Sequence, residues 1–122
     1  MLGDSTDIVW GVVDILPVTD FPTPRHMNVI TKKGAGIQWI PREEGLVRIY
    51  CVLGNAQSDE SGTLIRSSVT FEAIMAEICA QLLPYKLNYI RCDWWAAYQV
   101  GQRVAEDNMD ASGRIFLVGD VS

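Results

Sequence analysis

An arginine and a tyrosine alternate with apolar residues in the segment 46–53, and this spacing is the clearest sign of chemistry in the sequence. Successive side chains of a strand point to its two opposite faces. One face would be wholly apolar, whereas the other would carry Arg48 and Tyr50 together with Leu46 and Val52. Arg42, just before this segment, adds a second cation. We therefore predict a binding surface on the second face, although surface strands often carry arginine and tyrosine without any such role.

A second candidate group stands at the far end of the sequence, where the apolar run 115–118 is followed by Gly119 and Asp120. A short apolar run bounded in this way predicts a buried strand that delivers a carboxylate to a loop. A ligand-binding turn normally begins at such a loop, and here only Val121 and Ser122 follow. We expect a chain cut at this turn, so that its activity requires parts that it does not contain.

Other familiar kinds of active site find little support. His26 is the only histidine, so a Ser/His/Asp triad cannot be argued. Gly34 and Gly36 are followed by Trp39 where a dinucleotide-binding fingerprint needs a third glycine, and no helix is predicted there, so we interpret this segment as a turn. The three cysteines are widely spaced in apolar runs, which favours buried thiols in a reducing cytoplasmic setting over a metal site; they are Cys51, Cys79 and Cys92.

The overall composition restricts the class of protein. With 122 residues and 48% hydrophobic content, the chain can form one domain with a core, and it has no tract long enough to span a membrane. Its net charge of −5 argues against nucleic-acid binding, which requires a basic face. We expect a soluble cytoplasmic protein that binds neither nucleic acid nor membrane.

The elements that must position these residues are strands with one helix. We predict strands over 7–16, closed by Pro17, then over 27–31 and 36–40, and a hairpin whose tight loop contains Gly45. Residues 55–68 form a loop. Thr70 caps a helix from Phe71 to about Leu83. A last long strand runs over 87–100 and ends at Gly101, with one face made of Ile90, Cys92, Trp94, Ala96 and Tyr98. The fold class is α+β, a mainly antiparallel sheet covered by one helix.

Four blocks of the sequence form a distinctive series: WGVVDILPVTDFP at 10–22, IPREEGLVRIYCVL at 40–53, WWAAYQVGQRVAE at 94–106 and RIFLVGD at 114–120. In their order and spacing they resemble the middle of fungal-type, FAD-dependent phenol 2-monooxygenases. These enzymes belong to the para-hydroxybenzoate hydroxylase-like flavoprotein monooxygenases. The first three are fairly specific to the family, whereas the last is shared by many flavoproteins.

The resemblance implies a domain assignment and roles for single residues. Residues 1–112 would be part of the substrate-binding domain, and residues 113–122 would begin the return to an FAD domain that is otherwise absent. The implied catalytic residues are Arg42 and Tyr50, with Arg48 and Tyr98 binding substrate or holding the site together. Asp120, with Gly119, would contact FAD by accepting a hydrogen bond from its ribityl chain.

The implied activity is the ortho-hydroxylation of a small phenol with FAD, NADPH and O₂. A phenolate is a better nucleophile than a phenol, so Tyr50 would hydrogen-bond the substrate hydroxyl and Arg42 would favour its anion by about 1–3 kcal/mol. In the family, the dinucleotide-binding motif and the acidic residue usually assigned as the catalytic base precede the region of the blocks, so we expect the isolated chain to be inactive; the parent enzyme could be a homodimer. Two alternatives stay open, a non-catalytic module that binds small aromatics or a protein, and an unrelated domain without a ligand.

Overall fold

The computed structural model describes residues 2–33, 35–54 and 69–119. Their strands form one antiparallel sheet of five strands in the order β2-β3-β4-β1-β5. The elements in chain order are β1 (Leu2–Thr19), β2 (Asn28–Lys32), β3 (Ala35–Pro41), a 3₁₀ turn (Glu43–Gly45), β4 (Val47–Leu53), α1 (Phe71–Leu82) and β5 (Leu87–Val104). The predicted α+β class with one helix on an antiparallel sheet is confirmed. The predicted loop 55–68 and Asp120 lie outside the described residues.

The core lies between α1 and one face of the sheet. The buried residues of this layer alternate along the strands, as the period of two in β4 predicts, and repeat along α1 at helical spacing; they include Val13, Ile15, Ile37, Trp39, Val47, Ile49, Cys51, Ile74, Ile78 and Leu82. Gly11 lets the helix approach closely, because a Cβ atom there would lie 2.9 Å from Cγ2 of Ile74. The helix therefore packs against one face of the sheet, and this contact forms the core.

The helix begins and ends almost as predicted. The hydroxyl of Thr70 accepts a hydrogen bond from the amide of Ala73 at 3.1 Å, which satisfies one of the free amides of the first turn. The helix ends at Leu82, one residue before the predicted end. Among the described residues, no helix is both long and apolar enough to cross a membrane.

Strand β1 continues past Pro17, so the prediction that this proline closes the strand is wrong. β4 pairs with β1 only as far as Ile15, opposite Val47. Beyond that point β1 pairs with β5 alone, and its register shifts between Leu16 and Pro17. A proline without an amide hydrogen is tolerated where one side of the strand has no partner and at a bulge.

The predicted single face of β5 is also wrong, because the register of the β1–β5 pair shifts near Asp93. Asp14 pairs with Trp94, but the next residue, Ile15, pairs with Cys92. The extra residue moves Cys92 to the face covered by α1, whereas Trp94 lies on the opposite face. Gly101 does not end β5 either, since it pairs with Ser5 of a β1 strand that is longer than predicted.

The run 115–118 does not form the predicted buried strand. Within the described residues its sheet-like pairing is limited to an isolated bridge between Phe116 and Met109, and its side chains are exposed. A turn holds this segment, because the carboxylate of Asp110 accepts hydrogen bonds from the amides of Arg114 and Ile115. In the described part of the chain no second layer covers these apolar residues, so burial cannot order them as a strand.

Candidate functional site

The face of the sheet opposite α1 carries the polar and aromatic residues that the sequence singled out, and we call it the Tyr50 face. Alternation along each strand and the register of the sheet define its members. They are Trp10, Val12 and Asp14 of β1, Gln38 and Ile40 of β3, Arg48, Tyr50 and Val52 of β4, and Trp94, Ala96 and Tyr98 of β5.

At the centre of the Tyr50 face, two arginines converge on the carboxylate of Asp14, which is only 4% exposed. Arg48 binds it through two bonds, as Nε donates to Oδ1 at 2.7 Å and Nη2 donates to Oδ2 at 2.7 Å. Nη1 of Arg42 donates to the same Oδ2 at 2.9 Å. Two parallel bonds of this kind match the guanidinium fork to a carboxylate and fix both groups.

The register of the sheet brings these groups together. Asp14 lies directly opposite Arg48 in β4 and directly opposite Trp94 in β5. The guanidinium carbon of Arg48 lies 5.4 Å from the ring centre of Trp94, within the range of a cation–π interaction. Arg48 is thus held between a carboxylate and an indole.

The charges of this cluster stabilise one another. The hydrogen bond from Arg48 lowers the pKa of Asp14 most; burial opposes this, and the charges of Arg48 and Arg42 lower the pKa further. Asp14 in turn raises the pKa of Arg48. The second amino group of Arg42, Nη2, donates to Oε1 of Glu43 at 2.8 Å, and the Glu43 side chain is 68% exposed. Asp14 is therefore a buried carboxylate that binds both arginines, and Glu43 is an exposed carboxylate that binds Arg42.

The two tyrosines of the predicted site lie close to Arg48. Tyr50 is two residues along the same face and lies opposite Val12 of β1. Its hydrogen bond contributes to the raised pKa of Arg48, after the larger effect of Asp14. Burial raises the pKa of Tyr98, the neighbouring Tyr50 raises it further, and Arg48 lowers it. The structure thus places Arg48, Tyr50 and Tyr98 on one face of the sheet, and Asp14 joins Arg42 to Arg48.

Asp14 is the residue of the candidate site that sequence reasoning missed. The signal was present, because Asp14 is a lone carboxylate inside the strongly apolar run 8–16. A charged residue is rarely buried in a strand unless it is paired, so the run itself implied a cationic partner. What the sequence alone did not supply was the register that places Arg48 opposite.

A concave region lies at the edge of the sheet, where the start of α1 meets β5. This cleft has a volume of about 510 Å³ and is lined by residues of both elements, including Phe71, Trp94 and Trp95. Its ionisable lining groups include the carboxylates of Glu72 and Asp93. Acidic groups repel an anionic ligand, so the Tyr50 face is the better site for one.

The described residues contain no group of side chains typical of a metal site and no backbone turn typical of a dinucleotide site. They contain no cluster of three or more histidine, cysteine or acidic residues able to hold a metal. Nor does any glycine-rich turn among them lead from a strand into a helix, the arrangement that binds a pyrophosphate. Gly119 has a φ of 79°, a left-handed backbone conformation that favours glycine.

The chain is similar to several curated proteins, while no protein-family model matches it. It is 41% identical over 118 residues to phenol 2-monooxygenase fsqG of Aspergillus fumigatus, covering 97% of this chain and 20% of that protein. It is 39% identical over 119 residues to FAD-dependent monooxygenase imqC of Aspergillus flavus, covering 98% and 53%. It is 36% identical over 131 residues to 3-hydroxybenzoate 4-monooxygenase of Comamonas testosteroni, covering 98% and 20%.

These three relatives, two from fungi and one from a bacterium, are all named as monooxygenases. The chain spans between a fifth and about half of the length of each of these three relatives. The resemblance that the four sequence blocks indicated is confirmed. Over nearly its whole length, the chain is homologous to one segment of the FAD-dependent, phenol hydroxylase-like monooxygenases.

Proposed function

We propose that the Tyr50 face binds the substrate ring of an FAD-dependent monooxygenase that hydroxylates a phenol ortho to its hydroxyl group, with NADPH as the reductant. The observation that supports this most is the placement of Arg48 beside Tyr50 on a sheet face rich in aromatic residues. The names of the relatives favour this proposal over a non-catalytic binding module. In this proposal residues 1–112 belong to the substrate-binding domain, and residues 113–122 begin the return to the FAD domain.

The chemistry of the face suits a phenolate. Arg42 and Arg48 share the single buried carboxylate of Asp14, so these three groups together carry one net positive charge. Glu43 offsets that charge only from an exposed position. A cation beside the bound hydroxyl favours its ionised form, and the phenol of Tyr50 can hydrogen-bond the same oxygen. Ionisation makes the ring more electron-rich and therefore more reactive toward an oxygen electrophile.

The described residues do not fit FAD by themselves, because they lack a site for its pyrophosphate. Their part in the reaction is therefore to bind the phenol, to orient it and to favour its anion. In our proposal Asp120, which lies outside the described residues, accepts a hydrogen bond from the ribityl chain. These 122 residues alone are expected to bind a phenol without hydroxylating it.

Replacing Tyr50 with phenylalanine is expected to weaken phenol binding about fivefold, the usual effect of losing one hydrogen bond of about 1 kcal/mol. Titration of the chain with phenol, followed by tryptophan fluorescence, measures this, since Trp10 and Trp94 belong to the same face. Tyr85→Phe is the matched control, because the Tyr85 ring packs against Phe21 beside the core. An absence of saturable binding, or equal affinities for all three proteins, would contradict the proposal.

A further inference from the structure

We propose that Asp14 is a positioning residue for the phenol site: it fixes Arg42 and Arg48 so that their remaining N–H groups meet the phenolate oxygen. This inference rests on the proposed function and assigns a task to a residue that does not itself contact the substrate. Its basis is the convergence of three hydrogen bonds from two arginines on one buried carboxylate.

The geometry leaves donors free while fixing their direction. A guanidinium has five N–H groups in a rigid fork. Arg48 directs Nε and Nη2 to Asp14, so its Nη1 group is not used by Asp14; Tyr50 is the other side chain that contributes a hydrogen bond to Arg48. Arg42 directs Nη1 to Asp14 and Nη2 to Glu43, so Nε and one hydrogen of each amino group are not used by these contacts. Because arginine has many rotamers, the contacts of each guanidinium determine where its remaining N–H groups point.

Asp14 is better suited to this task than Glu43, the other carboxylate in contact with Arg42. Asp14 projects from the middle of β1, paired on both sides by β4 and β5. Glu43 lies in an exposed turn, and exposed ion pairs contribute little to order. Asp14 also separates two cations that would otherwise repel each other. The titratable groups that face this cluster are Arg42 and Glu43 from the turn, Arg48 and Tyr50 from β4, and Tyr98 from β5.

The test uses 4-nitrophenol, whose ionised form has its own visible absorption band, as the probe. With the unmodified chain, we expect the pKa of bound 4-nitrophenol to lie about one unit below that of the free compound, equivalent to about tenfold tighter binding of the anion. In Asp14→Asn we expect most of this shift to be lost. An amide keeps the shape of the side chain but cannot accept both bonds of the Arg48 fork.

The direction of the change separates positioning from simple neutralisation. If Asp14 only cancelled charge, its removal would leave both guanidiniums in place and would lower the pKa of bound 4-nitrophenol further. Arg48→Lys provides a second variant that keeps the charge and removes the fork, and we expect it to lose the shift as well. Asp93→Asn is the matched control, because it breaks an exposed carboxylate–arginine pair with Arg91 in β5.

The outcomes distinguish this inference from the proposed function. No shift with the unmodified chain would overturn the proposed function and the inference together. A shift that persists or grows in folded Asp14→Asn, or that persists in Arg48→Lys, would overturn the inference alone. Loss of the shift in both variants, with the shift retained in Asp93→Asn, would support it.

Discussion

Replacing Trp39 with alanine is expected to lower the free energy of unfolding by about 3–5 kcal/mol, the range for removing a large aromatic side chain from a core. Trp39 is completely buried, and its ring lies 5.4 Å from that of Phe21. Its indole N–H also donates to the carbonyl of Pro24 at 2.9 Å. The substitution therefore leaves a cavity and an unpaired carbonyl. Urea unfolding followed by circular dichroism measures the difference.

The matched control for this experiment is Trp94→Ala, because Trp94 is 47% exposed on the opposite face. We expect a clearly smaller loss, about 1–2 kcal/mol, since only about half of the residue is buried and one cation–π contact is lost. Equal losses for the two tryptophans would show that the core does not lie between α1 and the Trp39 side of the sheet.

Replacing Asp14 with asparagine is expected to lower the free energy of unfolding at neutral pH by about 2–4 kcal/mol, toward the low end for a broken buried ion pair because both arginines are partly exposed. The effect should depend on pH. The folded state holds the pKa of Asp14 below its ordinary value of 3.8, chiefly through the hydrogen bond from Arg48. The unfolded state therefore takes up the proton first as the pH falls, so the stabilisation by Asp14 is complete above about pH 5, declines below about pH 4 and is lost as the pH falls through the lowered pKa of the folded state.

Urea unfolding of both proteins between pH 3 and pH 7 checks this expectation. The two curves of stability against pH should be parallel near neutrality and should converge in acid. Asp93→Asn controls for the loss of a carboxylate as such, and its exposed pair with Arg91 should contribute little at any pH. A constant difference down to pH 3 would show that Asp14 is not held in its ionised form by the arginines.

The Tyr50 face was predictable from β4 alone, because alternation fixes which side chains share a face of a regular strand. Val47, Ile49 and Cys51 are buried, and Arg48 and Tyr50 lie opposite, as their spacing predicted. The helix was predictable for a similar reason, since a cap at Thr70 and a helical repeat of apolar residues are local signals.

What the sequence did not reveal depends on pairing between distant strands. The register shift beside Asp93 places Cys92 and Trp94 on opposite faces of the sheet. No pattern in the local sequence predicts this shift. The same pairing places Asp14 opposite Arg48, residues that are far apart in the chain. The apolar run 115–118 shows the opposite error, a predicted strand that does not form. An apolar pattern typical of a strand yields a strand only where a neighbouring strand pairs with it.

The central claim is that the Tyr50 face binds a phenol. Its most direct test is a titration of the ¹⁵N-labelled chain with phenol, followed by the backbone amide signals in two-dimensional NMR spectra. We predict saturable shifts concentrated at Val12, Tyr50 and Ala96, which lie side by side across the three strands. Shifts concentrated instead at Phe71 and Glu72, beside the cleft at the start of α1, or no saturable shifts at all, would contradict the claim.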